Sequence, residues 1–235
     1  MLWDVDFTLV DARGVGRELY RLAFADLYGR DLPRAADEAG MAGRTDRAIA
    51  TDVLALAGIS DARGEVGRFE AALARLAPKV AALVIERGRA LPGARSALGS
   101  LAELSAGPDG RMVLQSLLTG NVRALAEVKL SPFGLVEYLD LDVGSYGDED
   151  DVRAELVHLA RQRAASRYGG DFAGRATVLV GDTPLDIEAA RLTDARAVGV
   201  TTGQFTGAEL AEAGAHAVLA DLTDTEAVVA AVLGG

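Results

Sequence analysis

Cysteine is absent from this 235-residue chain, and only two histidines are present. Disulfides and thiolate metal sites are therefore excluded, and a chain without cysteine fits a reducing compartment. Aromatic residues are scarce, 5% of the chain against 50% hydrophobic residues in all. The core is consequently aliphatic, and its Ala, Leu and Val favour helices. Basic residues are outnumbered, 24 against 35 acidic, for a formal net charge of −11. That balance disfavours non-specific binding to nucleic acid or to an anionic membrane. There is no run of about 18 apolar residues, the length a spanning helix needs. Asp4 and Asp6 interrupt the apolar start, so no signal peptide is visible. The chain reads as cytoplasmic. Its length accommodates one full α/β domain with an insertion, or two small domains. Oligomeric state is not written in it, and monomer and dimer both fit.

What is present falls into two textures. Residues 14–88 carry only helical signals. In RGVGRELYRLAFADLYG, Leu19, Leu22, Ala23 and Leu27 recur at helical spacing, and Gly29 supplies a stop. TDRAIATDVLALAG has Thr45 as an N-cap and Gly58 as its end. GEVGRFEAALARLAPKVAALVIERG is long and helical, with Pro78 as a kink or break. After Pro92-Gly93, strand-like runs alternate with helical stretches. The strands are RMVLQSLLTG, YLDLDVGSYG, ATVLVGD, ARAVGVTTG and HAVLADL. Such alternation is the signature of βαβ units. The predicted fold class is α/β: a Rossmann-like parallel sheet with helices on both faces, from residues 1–13 and 89–235. Residues 14–88 form an inserted all-helical cap. The first strand is short, with three residues before Asp4 against a typical five to six or so. Either it begins abruptly or the natural start lies a few residues upstream.

Ligands of open parallel sheets bind outside the carboxyl ends of the strands. The first strand ends at Asp4-Val5-Asp6-Phe7-Thr8, another at Leu118-Thr119-Gly120-Asn121, and a further one at Gly181-Asp182-Thr183-Pro184-Leu185-Asp186. A fourth leads to Gly147, an acidic stretch from Asp148 to Asp151, and Arg153. Several carboxylates and a hydroxyl thus converge on one edge. Acids gathered in this way repel one another unless a cation sits among them. An all-oxygen donor set points to a hard cation, most simply Mg²⁺.

DVDFTLVD, LLTGN and VLVGDTPLDIEAA resemble the first, second and fourth motifs of the haloacid dehalogenase superfamily, in order and across essentially the whole chain. The resemblance is to its phosphoglycolate-phosphatase-like hydrolases, and residues 14–88 are similar to that family's helical cap. It implies a Mg²⁺-dependent phosphatase acting on a small phosphorylated metabolite, a phosphoglycolate-like monoester. Asp4 would be the nucleophile that forms an aspartyl-phosphate, and Asp6 the general acid and base. Positions 4 and 6 of an extended strand face the same way. Thr119 would bond a phosphoryl oxygen. Asp182 would ligate Mg²⁺ together with Asp4 and the Asp6 carbonyl, with Asp186 supporting that site.

The basic third motif departs from the family's usual Lys. Arg153 stands at the matching place and can bridge phosphate and carboxylate. Lys129 lies ten residues past Thr119, which at about 1.5 Å per residue puts it roughly 15 Å down a helix. Arg153 is therefore favoured over Lys129. Phe7 stands where Gly is commonest. Substrate contacts are expected from Gly120 and Asn121, and from Arg44, Thr45 and Asp46 if the cap loop reaches down. The alternative for Thr45 and Asp46 is a helix N-cap. Asp11 begins the cap, as substrate wall or as a helix cap. His158 and His216 read as structural. Three rival functions stay open: a 2-haloacid dehalogenase, disfavoured by Asp6; a phosphosugar mutase, disfavoured by a cap without His and with Lys79 as its only Lys; and a silent binding protein on this fold.

Overall fold

The computed structural model describes residues 1–105 and 113–234. Arg111 and Met112, the start of the predicted strand RMVLQSLLTG, lie outside the described residues. Strands β1 (Leu2–Trp3) and β2 (Val10–Asp11) are followed by helices α1 (Val15–Tyr28), α2 (Arg34–Asp37), α3 (Asp46–Leu56), α4 (Ala62–Leu76) and α5 (Ala81–Arg87). Next come β3 (Arg89–Ala90), α6 (Ala94–Ser105), β4 (Ser116–Leu117), α7 (Arg123–Leu130) and α8 (Arg153–Tyr168). The chain closes with β5 (Val178–Gly181), α9 (Pro184–Leu192), β6 (Arg196–Val200), α10 (Gly207–Glu212), β7 (Ala217–Leu219) and α11 (Thr225–Leu233).

Five strands form one parallel sheet in the order β4-β1-β5-β6-β7. Side chains alternate across it as the pleat requires. Trp3, Val178, Val180 and Val198 pack on one face against α6 and α11. Leu2, Leu179 and Ala197 pack on the other against α8, α9 and α10. Both faces are covered, so strands this short are still buried and apolar. No described helix is long and apolar enough to cross a membrane.

Helices α1 to α5 build a second core, which Val122 and Leu125 at the start of α7 also enter. Leu19 and Ala23 of α1 lie inside it, and Leu22 and Leu27 pack on its edge. Gly29 ends α1 in the left-handed region, with φ 65°. Pro78 interrupts the third helical stretch, turning Ala77–Val80 into a 3₁₀ segment between α4 and α5. This helical segment leaves and rejoins the sheet domain through an antiparallel two-stranded ribbon, β2 with β3.

YLDLDVGSYG is not a strand. Val136–Tyr138 is a 3₁₀ turn, and only Ser145 bridges to Leu118 beside the sheet. Its Leu-Asp alternation imitates a half-buried strand. The acids bend the backbone instead: the Asp140 side chain accepts from the Asp142 N–H at 3.0 Å, an Asx turn that competes with a ladder.

Candidate active site

Strand β1 delivers Asp4 to the carboxyl edge, where its N–H bonds the Val180 carbonyl at 2.9 Å. The chain then doubles back at once. Leu9 and Val10 both donate to the Val5 carbonyl at 3.0 Å, and Phe7 donates to Val10 at 2.8 Å. Buried Val5 and Leu9 pin this loop, so Asp6 is presented beside Asp4. Phe7 sits at the loop tip with φ 55°, a left-handed conformation that costs a residue with a Cβ about 1–2 kcal/mol.

Three buried acids meet at this edge. Carboxylate oxygens of Asp4, Asp182 and Asp186 lie within 4.8 Å of one another. Arg153, the first residue of α8, bonds Asp4 at 2.9 Å and Asp186 at 2.5 Å. Burial pushes the Asp4 carboxyl up to about 7, with Arg153 opposing and Asp186 and Asp6 adding to the rise. Burial likewise pushes Asp182 up to about 9, reinforced by Asp4, Asp186 and Asp6. The acids outnumber the cation among them, and their charge is costly to hold. Asp186 has both oxygens engaged, one by Arg153 and the other by the Thr183 N–H at 3.1 Å and hydroxyl at 2.7 Å. That reciprocal pairing caps α9. Among the described residues nothing hydrogen-bonds the Asp182 side chain, which lines the cavity.

Lys129 corrects the reading from spacing. It is buried, and its Nζ donates to both Asp6 oxygens at 2.8 and 2.6 Å and to Asn121 Oδ1 at 2.7 Å. The expected separation counted ten residues of helix from Thr119, but only six of them, about 9 Å, are helical. Helix α7 starts only at Arg123 and packs on α4, α5 and the 3₁₀ turn between them. It packs with Ala126 and Leu130 on the sheet core as well, and its side chains lean back toward its N-terminus, which brings Lys129 to Asp6. Arg153 and Lys129 both reach the site, each on its own carboxylates.

Asn121 completes this second cluster. Its amide donates to Asp6 and to the Thr119 hydroxyl, both at 2.8 Å. Thr119 is buried and accepts twice from Asn121, which leaves its own hydrogen free to donate. Asn121 and Gly120 line the cavity and Thr119 does not.

The residues expected to reach down from the helical segment behave differently. Asp11 does not line the cavity; Arg13 and Arg89 hold it at the ribbon, at 2.9 and 3.4 Å. Arg44 turns its guanidinium to Asp52 at 2.6 Å and to the Gly40 and Ala48 carbonyls. Thr45 is the N-cap of α3, accepting from Ala48, and donates to the Asp151 carbonyl. Asp46 lines the cavity, but Tyr20 Oη holds one of its oxygens and the Val122 N–H the other, both at 2.7 Å. Burial pushes its carboxyl up to about 6.

These contacts clamp the start of α3 onto the sheet domain. The Asp46 N–H donates to Gly120 at 2.7 Å and the Arg47 N–H to Gly147 at 2.9 Å. A Cβ on Gly120 would stand 2.0 Å from the Arg44 carbonyl oxygen. Gly120→Ala should therefore push α3 off the site and cost about 10²-fold in activity, with a lower melting temperature. Side-by-side rate measurements and thermal melts check it. Tyr20 escapes a reading by motif, because an aromatic in an apolar context carries no spacing signal.

A haloacid dehalogenase-type family model, described as HAD-hydrolase-like, matches residues 154–225. No curated protein matches the chain. Solved structures similar to it include a hydrolase from Pseudomonas syringae, at 22% identity over 96% of this chain and 95% of that one, with a TM-score of 0.64. A predicted phosphatase from Clostridium acetobutylicum is similar at 16% identity over 97% and 96%, with a TM-score of 0.69. A predicted phosphoglycolate phosphatase from Haemophilus somnus is similar at 16% identity over 97% and 96%, with a TM-score of 0.65.

Proposed function

We propose, from the premise that the chain is a haloacid dehalogenase-like hydrolase, that it is a Mg²⁺-dependent phosphatase of small phosphomonoesters. The observation that carries this reading is the pairing of carboxylates with cations at one sheet edge: Asp4 and Asp186 on Arg153, Asp6 on Lys129, and Asp182 without a partner among the described residues.

Asp4 attacks phosphorus, the bond from phosphorus to the alcohol oxygen breaks, and Asp6 supplies the proton that oxygen needs. Asp6 then takes a proton from water, which attacks the phosphorus of the aspartyl-phosphate. Phosphate leaves and Asp4 is regenerated. Arg153 holds Asp4 in line and neutralises charge on the phosphoryl oxygens. Lys129 and Asn121 fix the Asp6 carboxyl against the leaving oxygen. Thr119, buried behind the cavity wall, holds the Asn121 amide that orients Asp6.

A divalent cation fits the donor set. Buried carboxylates of Asp4 and Asp182 supply hard oxygens, and their raised pKa values mark a site short of positive charge. Asp4, Asp182 and the Asp6 carbonyl would hold the ion, with Asp186 orienting Arg153 from behind. When bound, Mg²⁺ supplies charge neutralisation on the phosphoryl group. Residues 14–88 would act as a cap that excludes bulk water, and absence of cysteine supports a cytoplasmic site of action.

Phosphate release from a panel of phosphomonoesters, in Mg²⁺ and in EDTA, tests the reading. Release in Mg²⁺ and none in EDTA is expected; equal rates would sink the metal assignment. The ligands must shed protons to bind the ion, and Asp4 and Asp182 hold theirs to about 7 and about 9. Apparent Mg²⁺ affinity should therefore rise from pH 6 to pH 8, and a calorimetric titration at each pH checks it.

A further inference from the structure

The cavity between the strand ends and the helical segment has a volume of about 450 Å³, within the roughly 300–1,000 Å³ range of sites that enclose a whole ligand. A two-carbon phosphate ester would leave most of it to water. The polar groups of its wall are largely satisfied by the protein. Tyr20 Oη is spent on Asp46, Asp46 on the Val122 N–H, Asn121 and Lys129 on Asp6, and Arg44 on Asp52. The apolar part of the wall is Phe7, Val15, Met41, Ile49 and Leu125, with Arg13, Arg17, Thr202 and Gln204 beside it.

Phe7 is the informative member. Its side chain is large and apolar, yet the residue is 46% exposed. Its φ of 55° is a conformation that glycine adopts without strain. Burial does not account for an aromatic ring held there, and backbone preference argues against one. Strain retained beside a reacting centre is the pattern of a residue kept for contact with ligand. Phe7 directly follows Asp6, and both line the same cavity. Arg17, on the same wall, bonds the Ala39 carbonyl at 3.5 Å.

We infer that the site takes a phosphomonoester whose alcohol part is apolar and larger than two carbons, a flat ring or its equivalent packed between Phe7 and the wall of Val15, Met41 and Ile49. This rests on the phosphatase reading for its chemistry and on the cavity wall for its specificity.

The test compares phenyl phosphate with 2-phosphoglycolate as substrates in Mg²⁺. It also compares phenylphosphonate with phosphonoacetate as non-hydrolysable ligands by calorimetry. The expected kcat/KM ratio favours phenyl phosphate by about 10²-fold, the scale of discrimination that a few methylenes give in an apolar pocket. Phe7→Gly should cut that ratio by roughly tenfold while the melting temperature stays level or rises, because glycine relaxes the backbone. Phe7→Tyr should restore the ratio. A preference for 2-phosphoglycolate, or a folded Phe7→Gly protein with the wild-type ratio, overturns the inference and leaves the phosphatase reading standing. If neither ester is hydrolysed, the phosphatase reading fails and the ligands decide the site's class. Tighter binding of phenylphosphonate, weakened in Phe7→Gly, then upholds the inference; tighter phosphonoacetate, or no binding of either, overturns it.

Discussion

Asp4→Asn should lower turnover by at least about 10⁴-fold, the scale on which loss of a nucleophile is felt, with the fold intact. Asparagine keeps the shape of the side chain and can still accept from Arg153, but it cannot form an acyl phosphate. The same substitution should make the metal-free protein more stable at pH 8. The Asp4 carboxyl sits at about 7 in the fold, raised from 3.8 chiefly by burial. A group with a raised folded value binds more protons folded than unfolded across that window, so its charging subtracts stability as pH climbs from about 4 to 7. An uncharged amide at this position has no such slope. Melting curves in EDTA at pH 5 and pH 8 check the sign: wild type should lose ground to the variant at the higher pH. An active variant, or one that melts far below wild type at pH 8, contradicts the role given to Asp4.

Arg153→Ala and Lys129→Ala should both be severe, in different ways. Arg153 is buried against Asp4 and Asp186. Removing one partner of a buried ion pair leaves uncompensated charge and costs about 3–5 kcal/mol. Arg153→Ala should therefore lose activity and much of its stability, and Mg²⁺ should return part of that stability by supplying the missing charge. Lys129→Ala leaves Asp6 with Asn121 alone to orient it. A fall of about 10²-fold in kcat is expected from the lost positioning, with a smaller change in melting temperature, since Asp6 is the more solvent-exposed partner of its pair. Spacing alone predicts a mild Lys129 variant. Near wild-type kcat in Lys129→Ala would show that its contacts to Asp6 are incidental.

These two residues mark what can and cannot be read from one sequence. The placement of Asp4, Asp6, Asp182 and Arg153 at one sheet edge was legible because each stands at the end of a strand or the start of a helix. There, the period of the element fixes direction, and short parallel strands leave little play. The alternation of Leu2, Trp3, Val178 to Val180 and Ala197 to Val198 is of the same kind: a pleat sorts side chains to two faces without reference to anything distant. Lys129 depends on the orientation of α7, which is set by packing on α4 and α5 and so by contacts remote in sequence. Arg44 and Asp46 depend on which nearby acceptor or donor wins. Asp52, one helical turn beyond Ala48, takes Arg44, and the Val122 N–H takes Asp46. YLDLDVGSYG misled because its alternation is real, while the Asx turn at Asp140 that overrides it is local side-chain chemistry. The helical capacity of residues 14–88 was plain from periodicity, and the ribbon of β2 and β3 that joins the segment to the sheet was not, since two residues per strand carry no pattern.

The central claim is that phosphoryl transfer passes through Asp4. The most direct measurement is an acid quench of the wild-type protein turning over phenyl phosphate in Mg²⁺, followed by borohydride reduction and peptide mapping of the N-terminal segment. The account predicts reduction of an acyl phosphate at Asp4, absent in EDTA and absent from Asp4→Asn. Release of inorganic phosphate at an undiminished rate with no acyl phosphate at Asp4 would contradict it.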